Sequence, residues 1–191
     1  FSIAQQTRLG FKETADLYSR IAISTKDYNI SQEKLISITN TINKAMIISG
    51  GTAESMNSAI IQLGQAFSGN FQSVGQELAS IREQTPALCQ AIVKGTGMSS
   101  QAFKKAAEDG ELSAEIIIKA LEKQANAIDT DFNKMIKTVG QSMTQMSNSM
   151  LEFVGYIDKS TGISTALSES ITSMSSSIDS FTKQLKNSNI E

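Results

Sequence analysis

Apolar residues recur every three or four positions along most of the chain, which is the period of an α-helix. One clear example is the run Ala53, Met56, Ile60, Leu63 and Phe67. No stretch combines strict apolar–polar alternation with β-branched residues, the pattern that is typical of strands. The chain has one proline, so long stretches can be helical without interruption. The sequence therefore predicts an all-α fold with no sheet.

Glycine, proline and hydroxyl residues mark where these helices begin and end. The first helix is predicted over residues 2–25, with a bend near Gly10. Glycine readily takes the left-handed conformation that ends a helix, and proline loses no hydrogen bond at the first helical position. The predicted N-caps are Ser31, Thr52, Thr85 and Ser113, with Ser99 or Ser100 for one further helix. The helix-end and motif positions are Gly50, Gly69, Gly75, Pro86, Gly97 and Gly110.

The last third of the chain carries a narrower apolar pattern, spaced alternately by four and three residues. This heptad spacing is typical of a helix that pairs with another helix along a seam. The seam is predicted to comprise Phe132, Ile136, Val139, Met143, Met146, Met150, Phe153, Ile157, Leu167, Ile171, Met174, Ile178, Phe181 and Leu185. A phase slip just upstream predicts a bend near residues 129–131.

The same heptad frame passes through two polar positions, Ser160 and Ser164, with Gly162 between them. The seam is weakest there, so the two halves are predicted to form a hairpin with a hinge near Gly162. Thirteen of the 23 residues from 160 to 182 are Ser or Thr, a composition that also suits a disordered linker. Because the seam continues through these residues, a helix is the favoured interpretation. Two domains follow: a compact helical module over residues 1–128 and a long helical extension over residues 129–191.

Composition and charge limit the classes of partner. Apolar residues make up 40% of the chain, and eight methionines with no tryptophan indicate an aliphatic core. A net charge of −2 gives no electrostatic reason to bind nucleic acid or an anionic membrane. No apolar run approaches the roughly 20 residues of a membrane span. Since the chain begins at Phe1, inside an apolar pattern, we interpret it as a piece of a longer protein.

Residues that could carry chemistry are few. The chain has no histidine, which removes the usual general base and the commonest zinc ligand. Cys89 has no activating partner nearby in sequence and is interpreted as a small buried apolar residue. The acidic clusters at residues 108–111 and 129–131 are interpreted as solvated surface, and Gly95–Thr96–Gly97 as a helix end rather than a phosphate loop. We therefore predict no enzyme activity, no catalytic residue, no metal and no cofactor.

One region resembles a known family. Residues 49–92 read SGGTAESMNSAIIQLGQAFSGNFQSVGQELASIREQTPALCQAI, and residues 109–121 read DGELSAEIIIKAL. The spacing of their Ser-Gly, Gln-Leu, Gly-x-Glu-Leu and Pro-x-Leu elements is similar to that of the tape measure domain of phage and prophage tail proteins. The resemblance covers about residues 1–125, and residues 130–191 resemble the family only as long helices.

The resemblance implies a virion protein that lies in the lumen of the tail tube, sets tail length and is released at infection. It implies as partners other copies of the chain, the tail tube and tail assembly chaperones, with the host bacterial cytoplasm as the site of assembly. It implies no small-molecule substrate and no specific nucleic acid, and any membrane contact at infection would not come from this segment's composition. The alternative is a helical interaction module of a secreted translocator or a signalling coiled-coil protein.

Overall fold

The computed structural model describes residues 1–51, 53–68, 75–157 and 164–188. In these ranges every regular element is a helix, so the all-α prediction is confirmed. A short 3-10 turn lies at Lys26–Tyr28. The α-helices are α1 (Ser2–Thr7), α2 (Phe11–Ser24), α3 (Gln32–Ile48), α4 (Ala53–Ser68), α5 (Gly75–Gln84), α6 (Pro86–Thr96), α7 (Ser100–Glu108), α8 (Ala114–Lys134), α9 (Val139–Ile157) and α10 (Ser164–Ser188).

Three of the predicted N-caps are confirmed by hydrogen bonds, and the predicted N-cap Thr52 lies outside the described residues. The hydroxyl of Ser31 accepts from the amide of Lys34 at 3.3 Å at the start of α3. Ser99, rather than Ser100, caps α7, and Ser113 caps α8 in the same way. Each hydroxyl satisfies one of the amides that a helix leaves unpaired in its first turn.

The prediction that the Thr85 side chain caps a helix is wrong. Thr85 directly precedes α6, but it makes no side-chain cap bond there. Its hydroxyl instead donates to the carbonyl oxygen of Ile81, one turn back in α5, at 2.8 Å. Thr85 is fully buried, and this local bond satisfies its hydroxyl.

The predicted first helix is two helices. α1 ends at Thr7, and Arg8 takes a left-handed conformation with φ of 62°. α2 then begins at Phe11, after Gly10 in an extended conformation. The predicted bend near Gly10 is therefore a full break, and it lets α1 and α2 both pack against α3.

Helix α8 is continuous through residues 129–131, where the phase slip predicted a bend. α8 runs unbroken to Lys134, and Met135 leaves the helix with extended backbone angles. Ile128 and Phe132, one turn apart, are both buried in the core and hold this part of α8 against the other helices. Lys44 of α3 also pairs with Asp129. Burial of two large apolar side chains outweighs the phase slip in the heptad pattern.

The chain divides into two compact units, Phe1–Asn148 and Ser149–Glu191. The predicted boundary after residue 128 falls within α8. The core of the first unit lies between α8, α3, α6, α4 and α2, and its largest fully buried side chains include Phe67, Leu17, Ile42 and Leu88. The second unit contains α10.

Two details show how closely the first unit is packed. Asn43, fully buried on α3, donates through its amide nitrogen to the hydroxyls of Thr7 and Thr14, which ties α1 and α2 to α3. Gly95 of α6 lies against α8, where a side chain at residue 95 would place its Cβ 2.1 Å from the carbonyl oxygen of Ala120. Only glycine allows these two backbones to approach so closely.

Candidate functional site

α9 carries a row of amide side chains on one face. Gln141, Gln145 and Asn148 are spaced by four and three residues, so they lie along one side of the helix. This row meets the backbone of the N-terminal helices: Gln145 donates to the carbonyl oxygen of Gln5 at 2.5 Å. Asn148 donates to the carbonyl oxygen of Leu9 at 2.8 Å. These polar contacts hold the first half of α9 to the N-terminal helices within the first unit.

Asn148 also caps a helix far away in sequence. Its side-chain oxygen accepts from the amide of Phe11, the first residue of α2, at 2.9 Å. Gly10 occupies the N-cap position and has no side chain to do this. Asn148 is only 3% exposed, so both ends of its amide are paired inside the protein.

Arg8 of the N-terminal segment also contacts α9 and the end of α8. Its guanidinium lies 4.4 Å from the ring centre of Phe132 and donates to Gln141 at 3.3 Å and to the carbonyl oxygen of Met135 at 3.4 Å. The ammonium of Lys44 is 5.5 Å from the same ring centre. Two cations thus lie near the ring of Phe132, an arrangement that a π-system stabilises electrostatically.

The opposite face of α9 is the predicted seam. Each residue of an α-helix advances about 100°, so Met143, Met146 and Met150 lie roughly 140–160° around the helix from Asn148. Met143 is 50% exposed and Met146 is 38% exposed, while Met150 is partly buried. Val139 and Phe153 are exposed as well. On the face opposite the amide row, the described residues therefore leave Val139, Met143 and Met146 exposed.

The seam does not run continuously from Phe132. Phe132 is buried in the core of the first unit instead. Ile136 lies in the non-helical segment between α8 and α9 and is 90% exposed. The heptad positions from residue 132 to residue 139 therefore do not lie on one helix in the structure.

On α10, the predicted seam residues Met174, Ile178 and Phe181 are exposed. The side chains of Ile157, Leu167, Ile171 and Leu185 lie outside the described residues, as does the predicted hinge at Gly162. The hairpin is therefore not confirmed. We use the name "apolar stripe" for Val139, Met143, Met146, Met150 and Phe153 of α9.

The residues that anchor α9 were not predicted from the sequence. Arg8, Gln141, Gln145 and Asn148 carry no chemical motif. A signal was nevertheless present, because three amide side chains share one helical face opposite an apolar stripe. Leu151 and Val154 of α9 are also exposed and extend the apolar surface beyond the predicted positions.

Most of the predicted helix-end positions lie at helix ends. Gly50, Gly97 and Gly110 have positive φ of 71°, 76° and 70°. Gly97 is the C-cap of α6, and Gly50 and Gly110 each directly follow the C-cap residue of a helix. Pro86 is the first residue of α6 and Gly75 the first of α5. α4 ends at Ser68, and Gly69 itself lies outside the described residues.

The residues that were considered for chemistry lie inside a helix or at its end. Cys89 is buried on α6, and burial raises the pKa of its thiol despite the opposing effect of Arg82. Gly95–Thr96–Gly97 forms the C-terminal end of α6. In the described part of the chain, no three His, Cys, Asp or Glu residues come together as a metal site. No described helix is long and apolar enough to cross a membrane.

Comparison with known proteins gives the family. A search of curated proteins and a search of solved structures each found no match. The family model described as tape measure protein matches residues 1–159, which extends past the resemblance seen at residues 1–125 and includes all of α9. The match covers most of the chain and places it among structural components of phage tails, a family not known for enzyme activity. The chain belongs to the tape measure protein family.

Proposed function

We propose that this chain is a structural module of the protein that sets tail length in a phage, lying in the lumen of the tail tube and leaving it at infection. The family membership supports a structural role in the tail. The helical architecture is compatible with a ruler, because an α-helix advances about 1.5 Å per residue and its length is fixed by the number of residues. The host bacterial cytoplasm is the proposed site of assembly.

The observation that carries the proposal is that α9 has a polar face and an opposite apolar face. One face is fixed to the folded first unit through Gln145 and Asn148, and the other presents the apolar stripe. A stripe with heptad spacing is stabilised when a second helix packs on it. We therefore assign the apolar stripe to pairing between copies of the chain within the tail.

Two further parts of the proposal concern partners. The tail tube and the tail assembly chaperones are proposed to contact the module during assembly. The seam residues of α9 and α10 are proposed to exchange between two arrangements, a hairpin hinged near Gly162 within one chain and a pairing between chains. The hairpin would protect the apolar stripe before assembly, since exposed apolar surface promotes association.

Tail length is the direct test. Duplication in frame of residues 164–188, the 25 residues of α10, adds a helical length of about 38 Å while keeping every residue of the module. Electron microscopy of the resulting tails should show them longer by that amount. A matched control replaces Met174, Ile178 and Phe181 by Asp without changing the chain length. Duplicated chains that assemble tails of unchanged length would contradict the proposal.

A further inference from the structure

A cleft of about 500 Å³ lies among α5, α6 and α7 of the first unit, far in sequence from the apolar stripe. Its floor is apolar: Leu78, Cys89, Phe103 and Ala107 are buried, and Val93 is partly buried. The volume is in the range of protein sites that bind small ligands or the side chains of a partner. None of the functions proposed above uses this cleft.

The rim of the cleft is basic although the chain as a whole carries a net charge of −2. Arg82 of α5, Lys94 of α6 and Lys104 of α7 line it, with Glu108 as the one acidic lining residue. Lys104 and Glu108 pair with each other at 3.7 Å. Among the residues that the structure describes, Arg82 and Lys94 form no ion pair. The rim therefore presents two cations whose charge the described carboxylates leave unmatched.

We propose that this cleft binds an amphipathic helix of a partner protein, with carboxylates at the edges of that helix facing Arg82 and Lys94. α6 lines the cleft from Pro86 to Lys94, a rise of about 12 Å, which equals roughly two turns of a helix. A helix of that length presents apolar residues at positions i, i+3 or i+4, and i+7 to the floor. The rim cations lie on different helices, which suits a ligand with several separated carboxylates over a small molecule with one.

The test uses the full 191-residue chain and two synthetic peptides. Both are helical peptides of about five turns with leucine at i, i+3, i+4 and i+7. One has glutamate on both edges of the leucine stripe, and the other has lysine at the same positions. Fluorescence anisotropy should show at least about tenfold tighter binding of the glutamate peptide, the factor expected from two good surface ion pairs.

Charge reversal at the rim identifies the site. The double variant Arg82→Glu with Lys94→Glu should prefer the lysine peptide, and both substitutions are at exposed positions that leave the core unchanged. The matched control is Lys12→Glu with Lys123→Glu, which makes the same change of charge at exposed residues outside the cleft. This control should keep the preference for the glutamate peptide.

Cys89, the single cysteine, reports occupancy of the cleft floor. Saturating glutamate peptide should slow alkylation of its thiol by about tenfold or more, since a bound helix covers the floor and the bound fraction reacts only after release. Tighter binding of the glutamate peptide, reversed by the rim variant and accompanied by protection of Cys89, supports the proposal. Equal affinities, absence of binding, a preference that survives rim reversal, or an unprotected Cys89 at saturation would each overturn it.

Discussion

The side-chain oxygen of Asn148 accepts the hydrogen bond of the Phe11 amide at 2.9 Å, across 137 positions of sequence. The same side chain donates to the carbonyl oxygen of Leu9. A residue in α9 thus satisfies both backbone groups that flank Gly10, where the chain turns from α1 into α2. This pairing fixes the start of α2 and the first half of α9 together.

Replacement of Asn148 by leucine, which has a similar size, should destabilise the first unit by about 2 kcal/mol. The amide of Phe11 and the carbonyl of Leu9 would remain buried without partners, and an unpaired buried polar group costs free energy of that order. Urea unfolding followed by circular dichroism measures the change. Amide hydrogen exchange at Phe11 should also become faster.

The control for that substitution is Asn126→Leu, the same chemical change at an exposed position of α8. It should alter the free energy of unfolding by no more than about 0.5 kcal/mol. If Asn148→Leu is equally neutral, Asn148 does not anchor α9.

Gly95 should not tolerate a side chain. Gly95→Ala would place a methyl group 2.1 Å from the carbonyl oxygen of Ala120, so α6 and α8 must separate. We expect a loss of about 2–3 kcal/mol in the free energy of unfolding, measured by chemical denaturation. Gly140→Ala is the matched control, because the new methyl group meets only the hydroxyl of Thr138 at 3.9 Å. A stable Gly95→Ala protein would show that the two helices do not touch at this point.

The reactivity of Cys89 should depend on pH in a defined direction. Burial raises the pKa of its thiol above the ordinary value of about 8.5, so the unreactive neutral form persists further into alkaline pH. The unfolded chain ionises first as pH rises, so this thiol's contribution to stability is present below the ordinary pKa and is lost above it. Rates of alkylation by iodoacetamide against pH measure the shift.

For that experiment the chain unfolded in urea is the internal control, and its titration midpoint should return to the ordinary value. A folded-state midpoint at or below the unfolded one would contradict the burial of Cys89. Cys89→Ala should remove the alkaline loss of stability that the thiol causes.

The sequence predicted the helices and most of their ends, because these depend on local chemistry. The caps at Ser31, Ser99 and Ser113 each involve an amide three residues away, so spacing alone identifies them. The family resemblance at residues 49–92 also rested on local spacing, and the family match confirms it.

What the sequence did not predict depends on contacts distant along the chain. Thr85 has the pattern of an N-cap but bonds to Ile81, because its buried hydroxyl finds a partner one turn back. Phe132 fits the heptad frame but packs in the core under Arg8. In the sequence Asn148 resembles a polar surface residue, and only the structure shows its hydrogen bonds with Leu9 and Phe11. A helical period shows which residues share a face and gives no information on which partner covers that face.

The apolar stripe is the part of the proposal that a solution measurement can test without phage. Met146 is on the stripe and half-exposed, and its neighbour Ser147 is exposed on another side of α9. Met146→Asp and Ser147→Asp add the same charge one residue apart. Neither residue lies in the core of the first unit, so both variants should still fold.

Sedimentation equilibrium of the chain and these two variants tests the central claim most directly. We expect the unmodified chain and Ser147→Asp to associate as concentration rises, and Met146→Asp to remain monomeric, because an unpaired charge in a helical seam opposes pairing. An unmodified chain that stays monomeric at every concentration, or a Met146→Asp variant that associates as the unmodified chain does, would contradict pairing of the apolar stripe between copies.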